Sequence, residues 1–205
     1  MRFYLASTSP ARLQTLRNAG VEPIAIAPGV DEDAVVAAAG ALSAHDMVAL
    51  LAQAKAEAVI NQHGPDIDGF VFGGDSAFVL DDVIYGKPHT AEVARERWLR
   101  QRGRTGLLYS GHWLVDHRGG AAGAAVGAVS VATVHFADVS DSEIDAYIAT
   151  GEPLYVAGAF TIDSLGAAFV TGIEGDPHTV VGISIPGLRT MAQDLGVEWT
   201  DFWNR

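Results

Sequence analysis

The chain has 205 residues, 13 basic and 25 acidic side chains, and a formal net charge of −12 at pH 7. This length predicts one domain, or two small lobes that share a core. With 49% apolar and 19% charged residues, the chain is not intrinsically disordered. The acidic balance argues against binding to duplex nucleic acid, which needs clustered Lys and Arg. The absence of cysteine excludes disulfides, zinc–thiolate sites and thiol nucleophiles.

No apolar signal segment follows Met1, and no uncharged apolar run approaches about 20 residues. We therefore expect a soluble, cytoplasmic protein without a membrane partner. Strand-like and helix-like segments alternate along the chain, which predicts an α/β architecture. Neither an internal repeat nor a long linker is found, so we expect a single domain over residues 1–205.

The first predicted elements are a buried strand at residues 3–6 and a helix from Pro10 to about Ala19. Ser9 fits the N-cap of this helix, Pro10 fits its first position and Gly20 fits the residue after its end.

Residues 30–40 are acidic and then Ala-rich, and we interpret them as a loop whose helix content stays open. Ser43 is placed to cap a second helix that runs to about Asn61. The spacing of its apolar residues indicates one buried face. This predicted face consists of Met47, Leu50, Leu51, Ala54 and Ala58.

A strand is predicted at residues 70–72, before Gly73-Gly74-Asp75. Residues 77–80 and 83–85 flank Asp81-Asp82, which indicates a tight β-hairpin. The next predicted elements are a helix at 90–102, a strand at 107–115, a Gly- and Ala-rich surface loop at 118–128 and a strand at 129–136.

Ser140 and Glu143 form an S-x-x-E capping box, which predicts a helix that ends near Gly151. Short strands and Gly-rich turns are expected up to Pro186, where the last helix begins.

The segment after the first strand is a candidate anion site. It brings the hydroxyl groups of Ser7 and Ser9 and the guanidinium of Arg12 to a helix N-terminus. Free N–H groups and the helix dipole attract anions at such a place. A well-capped helix with an exposed Arg12 is the alternative interpretation.

The hairpin provides a second candidate site. Counting outward from its turn pairs Leu80 with Val83 and, further on, Ser76 with Lys87, so that Asp75 and Lys87 meet at the open end. A carboxylate there can bind a divalent cation or activate water, while the lysine holds a phosphate. A surface ion pair, worth about 0–1 kcal/mol, is the alternative, and a β-bulge would shift the register.

Lys55 and an acidic cluster at residues 31–33 are the other candidates. Lys55 lies beside the apolar face of its predicted helix, so it can reach a ligand or extend along the surface to solvent. The acidic cluster offers oxygen ligands for Mg²⁺ or forms a solvated loop. The seven His residues show no zinc-ligand spacing, and neither a Walker A motif nor a dinucleotide-binding G-x-G-x-x-G is present.

Motifs from about residue 3 to residue 196 resemble those of one known family. They are Leu5-Ala6-Ser7-Thr8-Ser9-Pro10-Ala11-Arg12, Val30-Asp31-Glu32, Ala54-Lys55-Ala56, Gly73-Gly74-Asp75-Ser76, Gly86-Lys87-Pro88, Glu143-Ile144-Asp145-Ala146-Tyr147, Ala157-Gly158-Ala159-Phe160 and Val180-Val181-Gly182. In this order and at these intervals they are similar to the Maf family of nucleoside triphosphate pyrophosphatases, whose opening motif is S-x-S-P-R-R.

The resemblance implies an inosine-triphosphatase-like fold, with a mixed sheet, flanking helices and a central cleft between two lobes. It implies hydrolysis of modified or non-standard nucleoside triphosphates to the monophosphate and pyrophosphate, as nucleotide-pool house-cleaning, with Mg²⁺ or Mn²⁺ as the metal. Asp75 matches the proton acceptor, and Glu32 and Asp75 match the metal site. The implied phosphate-binding residues are Ser7, Ser9, Arg12, Lys55 and Lys87. A homodimer is also implied.

Three positions of the resemblance concern the base. Pyrimidine-type members, which act on dTTP and UTP, combine the first Arg of the motif with a Thr and a later Gln. The matching positions here are Ala11, Ser76 and Asp163. In 7-methyl-GTP-type members the late position is acidic, so Asp163 favours a guanine-like base, whose N1–H and amino group a carboxylate accepts. Ala11 and Ser76 match neither type, and the base preference stays open.

Two other function classes remain. The family has an association with septum formation, so one alternative is a nucleotide-binding regulator of cell division that does not depend on turnover. The other is an acidic interaction module, indicated by the net charge and four Trp residues. The presence of Asp75, Lys55 and Lys87 favours the enzyme, because a binding protein needs no water-activating carboxylate.

Overall fold

The computed structural model describes residues 1–121 and 123–204. The strands in these ranges are β1 (Phe3–Ala6), β2 (Ile24–Ala25), β3 (Gly69–Leu80), β4 (Val83–Tyr85), β5 (Thr105–His117), β6 (Ala125–Phe136) and β7 (Val170–Glu174). The α-helices are α1 (Pro10–Asn18), α2 (Glu32–Ala39), α3 (Ala44–His63), α4 (Ala91–Gln101), α5 (Asp141–Ala149), α6 (Pro177–Val181) and α7 (Ile185–Asp194). None of these helices combines the length and the apolar character that a membrane span requires.

The described strands form a seven-stranded mixed sheet in the order β2-β1-β3-β5-β6-β7, and β4 pairs with β3. Strand β1 is parallel to both β2 and β3. Strands β4 and β7 are antiparallel to β3 and β6. The predicted α/β class, with a mixed sheet and flanking helices, is confirmed.

The chain divides into two compact units. The first unit consists of Met1–Asp75, Ser110–Ser130 and Gly182–Arg205, and the second of Ser76–Tyr109 and Val131–Val181. Strands β3, β5 and β6 each contribute residues to both units. Whether the chain behaves as the single expected domain stays a prediction.

The first unit has an apolar cluster on each face of its strands, because successive side chains of a strand point to opposite faces. One cluster combines the strands with α1, α7 and the C-terminal segment; its larger members are Phe3, Leu5, Leu16, Phe70, Phe72, Leu188, Met191 and Phe202. The other lies under α3 and consists of Tyr4, Ala6, Ala56, Val59, Ile67, Val71 and Val115. The strands of this unit are therefore covered by apolar packing on both faces.

The second unit is organised around Trp98 of α4. Its indole ring makes edge-to-face contacts with Phe136 and Tyr147, at centroid distances of 5.7 and 5.6 Å. The indole N–H donates to the Ala159 carbonyl oxygen at 2.8 Å, which satisfies its polar atom in the core. Trp98 is thus a core residue, whereas Trp203 of the first unit is exposed.

The predicted helix starts are confirmed. The Ser9 side chain accepts from the N–H of Arg12 at the start of α1, and Ser43 caps α3 in the same way. At α5, the side chains of Ser140 and Glu143 form a complete capping box. These signals are local, which explains why the sequence alone identifies them.

The predicted hairpin is also confirmed within the second unit. Phe78 pairs with Tyr85 and Leu80 with Val83. Both turn residues have positive φ, 53° for Asp81 and 60° for Asp82, as a two-residue type I′ turn requires. Pairing ends at Tyr85, so the expected alignment of Ser76 with Lys87 lies beyond the register that the structure shows.

Two predicted loops were assigned wrongly. Residues 32–39 form α2, since Asp31 caps it by accepting from the Ala34 N–H at 3.0 Å and its alanines favour helix. The Gly- and Ala-rich loop at 118–128 is shorter than predicted, because β6 begins at Ala125; its residue Ala122 lies outside the described residues. Sheet pairing overrides the weak strand preference of these small residues.

Candidate active site

Helix α3 turns a different face to the core from the one predicted. Its buried residues are Val48, Leu51, Ala52, Lys55, Ala56 and Val59. Leu50 and Ala54, which the apolar spacing placed on the buried face, are only partly buried. The buried face is therefore centred near Lys55.

Two glycines explain this orientation of α3. A Cβ atom at Gly73 of β3 would overlap the Ala52 carbonyl oxygen, and one at Gly111 of β5 would overlap the Val48 carbonyl oxygen. The helix backbone thus lies directly against both strands, which only residues without a side chain permit. Lys55, three residues after Ala52, is thereby directed at the strand residues that follow Gly73.

Lys55 forms a buried ion pair with Asp75. Its Nζ donates to Asp75 Oδ1 at 2.6 Å and lies 2.8 Å from Glu32 Oε1. Lys55 and Asp75 are only 6% and 8% exposed, whereas the Glu32 side chain is about half exposed. The alternative in which Lys55 extends to solvent is therefore wrong. The Lys55 ammonium thus bridges the carboxylates of Glu32 and Asp75.

Arg12 is buried as well, which contradicts the alternative of an exposed guanidinium. Its Nε donates to the Gly182 carbonyl oxygen at 2.8 Å, and one Nη donates to Ser7 Oγ at 3.4 Å. Burial lowers the pKa of Arg12, and the negative charges of Asp75 and Glu32 oppose that shift. Since guanidinium groups stay protonated in proteins, Arg12 is a buried cation that the carboxylates attract.

The parallel pairing of β1 and β3 brings these groups together. Ala6 is in register with Gly73, so Ser7, which follows the carboxyl end of β1, lies next to the part of β3 that contains Asp75. Helix α1 begins directly after Ser9, whose N–H donates to Ser7 Oγ at 3.1 Å. Crevices beyond the carboxyl ends of parallel strands are common ligand sites, and a helix N-terminus adds partial positive charge there.

The donor set of this site fits a hard divalent cation only in part. Within residues 1–121 and 123–204, no group of three or more His, Asp or Glu side chains is placed to hold a metal. Mg²⁺ commonly takes only one or two carboxylates and completes its shell with phosphate oxygens and water. Glu32 and Asp75, which share the ammonium of Lys55, fit such a substrate-completed site.

The remaining predicted residues have less defined surroundings. Ala11 is partly buried on α1, in the first unit. In the second unit, Lys87 follows β4 and is exposed, Ser76 is partly buried on β3, and Asp163 is exposed. The expected meeting of Lys87 with Asp75 stays a prediction, since the two residues belong to different units.

Glu152 of the second unit was not identified from the sequence. Its carboxylate accepts from the Tyr147 and Thr161 hydroxyl groups at 2.9 and 2.5 Å, and from the N–H groups of Leu165 and Gly166 at 3.2 and 2.9 Å. The donors at 161, 165 and 166 flank Asp163, so Glu152 orders the segment that carries this residue. Its bonds to residues 161, 165 and 166 span 9 to 14 positions of the chain, and no local sequence pattern predicts hydrogen bonds over such a separation.

A family model described as Maf-like protein matches residues 2–195. The chain belongs to the Maf-like protein family. The predicted resemblance is thereby confirmed over nearly the whole chain.

Two curated relatives of this Maf-like chain share a name. The chain is 63% identical to "Nucleoside triphosphate pyrophosphatase" of Leifsonia xyli subsp. xyli, over 100% of this chain and 98% of that protein. The protein of the same name from Corynebacterium efficiens is 45% identical, with both chains fully covered. A solved dITP/XTP pyrophosphatase from Mycobacterium abscessus is 17% identical at a TM-score of 0.38, covering 82% of this chain and 93% of its own.

The packing at Gly73 gives a testable prediction for this Maf-like protein. Gly73→Ala introduces a methyl group against the α3 backbone, and we expect a loss of about 1–3 kcal/mol in unfolding free energy. Urea denaturation measures it. Gly86→Ala is the matched control, because nothing lies within 4 Å of the added methyl group; an equal loss in both variants would contradict the close-contact interpretation.

Glu152 predicts a pH-dependent contribution to stability. Partial burial raises the pKa of its carboxyl, but hydrogen bonds, above all from Thr161 and Gly166, outweigh burial and hold the pKa at about 2. Because this pKa lies below that of the unfolded chain, the contribution is full above about pH 5. It is lost as the pH falls through about 4.5 toward about 2.

We expect Glu152→Gln to lower the unfolding free energy by about 1–2 kcal/mol at pH 7, a value reduced for partial solvent screening. The difference from wild type should shrink below pH 4.5. Thermal unfolding from pH 3 to pH 7 measures it, with exposed Glu198→Gln as the control. A difference that is constant with pH would show that the charge of Glu152 does not contribute.

Proposed function

We propose that this protein is a nucleoside triphosphate pyrophosphatase, which hydrolyses nucleoside triphosphates to the monophosphate and pyrophosphate. The observation that carries the proposal is the buried pair of Asp75 and Lys55, next to the buried cation Arg12, which the Asp75 carboxylate attracts. A binding protein gains nothing from a buried carboxylate beside a phosphate site, whereas hydrolysis needs a group that activates water. The name of the curated relatives supports the same reaction.

In the proposed reaction, Asp75 orients and deprotonates a water that attacks the α-phosphorus, and pyrophosphate leaves. Phosphoryl transfer requires in-line positioning and neutralisation of the non-bridging oxygens. Arg12, Lys55 and the N-terminus of α1 supply positive charge in the first unit. Lys87 is proposed to add a further cation, which rests on the resemblance of its Gly-Lys-Pro motif.

Glu32 and Asp75 are the residues proposed to hold a divalent cation. When bound, Mg²⁺ or Mn²⁺ neutralises charge on the phosphate oxygens. Lys55 holds the two carboxylates in position, with its Nζ 2.8 Å from Glu32 and 2.6 Å from Asp75. The physiological role we propose is removal of modified or non-standard nucleotides.

The test is a product analysis with a panel of standard and modified nucleoside triphosphates, with Mg²⁺, with Mn²⁺ and with chelator. We expect pyrophosphate and monophosphate in equal amounts, no release of inorganic phosphate, and no reaction with chelator. Inorganic phosphate and the diphosphate as products would contradict the proposal. A reaction that continues in the presence of chelator would contradict the proposed metal requirement and leave the proposed reaction intact.

We also propose that Asp163 favours a guanine-like base. A carboxylate accepts two hydrogen bonds from guanine N1–H and its amino group, which a pyrimidine cannot offer in this arrangement. We expect Asp163→Asn to lower the ratio of kcat/KM for GTP over UTP by about tenfold or more, since a site built for hydrogen-bonding substrates discriminates strongly. Asp138→Asn is the control. An unchanged ratio would remove Asp163 from base recognition.

A further inference from the structure

His112 of β5 is a buried polar residue that the proposed reaction does not use directly. It is 1% exposed, and its ring packs against Phe72 at a centroid distance of 5.7 Å. Its Nε2 accepts a hydrogen bond from the Ser184 N–H at 3.0 Å. Because Nε2 accepts this bond, the nitrogen carries no hydrogen, and the ring is held in the tautomer with its proton on Nδ1.

The segment that His112 holds also binds Arg12. Two residues before Ser184, the Gly182 carbonyl oxygen accepts from Arg12 Nε at 2.8 Å, in a bond that is fully buried. Ser184 is fixed on its other side, because its side chain caps α7 by accepting from the Gly187 N–H at 3.0 Å. The segment at residues 182–184 therefore connects the imidazole to the guanidinium through two buried hydrogen bonds.

The hydrogen bond to the Gly182 carbonyl oxygen helps to fix the position of the Arg12 guanidinium. Arg12 is anchored through Nε, and one of its Nη atoms reaches Ser7 Oγ. A displacement of the Gly182 carbonyl would shift this planar group as a whole, because the donors of a guanidinium have a fixed geometry. Residues that orient functional groups through such indirect bonds commonly affect activity by about 10–100-fold.

We propose that His112 is a positioning residue for Arg12, acting through the Ser184 N–H and the Gly182 carbonyl. The inference rests on the proposed function, since Arg12 matters here as a phosphate-binding cation. Strand β5 would thus support the site through His112 without contributing a residue that contacts the substrate. It also requires an acceptor atom at the position of Nε2, which an apolar side chain of similar size lacks.

The test compares His112→Leu with His112→Gln, whose amide oxygen reaches the position of Nε2. We expect His112→Leu to lower kcat/KM for pyrophosphate release by about tenfold or more, and His112→Gln to restore it to within about threefold of wild type. His117→Leu is the matched control: His117 is a buried histidine on the same strand, and its Nδ1 bonds to the Ile67 carbonyl oxygen at 3.1 Å. It should change stability without changing kcat/KM.

A double-mutant cycle separates positioning from general destabilisation. In an Arg12→Met background, His112→Leu should lower kcat/KM no further, because the group it positions is already absent. Additive losses in the cycle, or a full loss in His112→Gln, would overturn the inference. If circular dichroism shows that His112→Leu does not fold, His112→Asn replaces it. The Asn side chain is too short for its amide oxygen to reach the Ser184 N–H.

The proposed function and this inference fail differently. If wild-type protein releases no pyrophosphate from any triphosphate, the proposed function is wrong, and the inference fails with it. If wild type is active and Arg12→Met is impaired while His112→Leu is not, only the positioning role of His112 is wrong.

Discussion

Asp75→Asn should lower kcat for pyrophosphate release by about 10²–10⁴-fold, the range that a general base contributes. The amide has the size of the carboxylate and still offers an oxygen to Lys55 Nζ, which lies 2.6 Å from Asp75 Oδ1. It cannot take a proton from water at neutral pH. The variant should therefore bind nucleotide and fold, and yet fail to turn over.

The measurement combines steady-state kinetics with a thermal shift on adding nucleotide, which reports binding separately from turnover. Asp33→Asn is the matched control, because Asp33 is an exposed acidic residue next to Glu32 in the chain. Full activity in Asp75→Asn would remove Asp75 from the role of base.

Lys55→Met should produce the largest loss of stability among single substitutions in the site. It leaves the Asp75 carboxylate, which is only 8% exposed, without its ammonium partner. Removing one partner of a buried ion pair costs about 3–5 kcal/mol, because an uncompensated charge stays in the interior. For a chain of this size, this corresponds to a fall in Tm of about 6–20 °C.

The double variant Lys55→Met/Asp75→Asn should recover part of that stability, because neither charge remains in the interior. Lys87→Met is the control for Tm: the chain has only two lysines, and Lys87 is exposed. If Lys55→Met melts at the wild-type temperature, or if the double variant is less stable than Lys55→Met, the ion pair does not contribute as described.

The elements with local signals were predictable from the sequence. The Ser9 and Ser140 caps and the hairpin turn at Asp81-Asp82 depend on residues at most three positions apart. Helix α2 has local signals of the same kind, since Asp31 and the alanine run are typical of a capped helix. The loop prediction for this segment is wrong because it did not take this cap into account.

The orientation of α3 was not predictable, because it depends on glycines in other strands. Apolar spacing placed Leu50 on the buried face, but the close approach at Gly73 and Gly111 turns Lys55 inward instead. A buried lysine also has no signal in periodicity, since lysine is expected at the surface unless it is paired. The motif resemblance predicts a functional role for Lys55 and does not show how the side chain is held.

The supporting residues of the site were missed for the same physical reason. The Arg12 bond to Gly182 joins residues 170 positions apart, and the His112 bond to Ser184 joins residues 72 positions apart. Contacts over these separations are formed by the tertiary fold and leave no spacing pattern in the chain. The sequence therefore indicates which charged groups are present, and the structure shows which neighbours fix them.

Attack of water on the α-phosphorus is the step on which the proposed reaction depends. The most direct test is a single turnover of the best triphosphate substrate in ¹⁸O-labelled water, followed by mass spectrometry of both products. We expect the label to appear in the nucleoside monophosphate and pyrophosphate to stay unlabelled. Label in pyrophosphate would place the attack on the β-phosphorus and contradict the proposed mechanism.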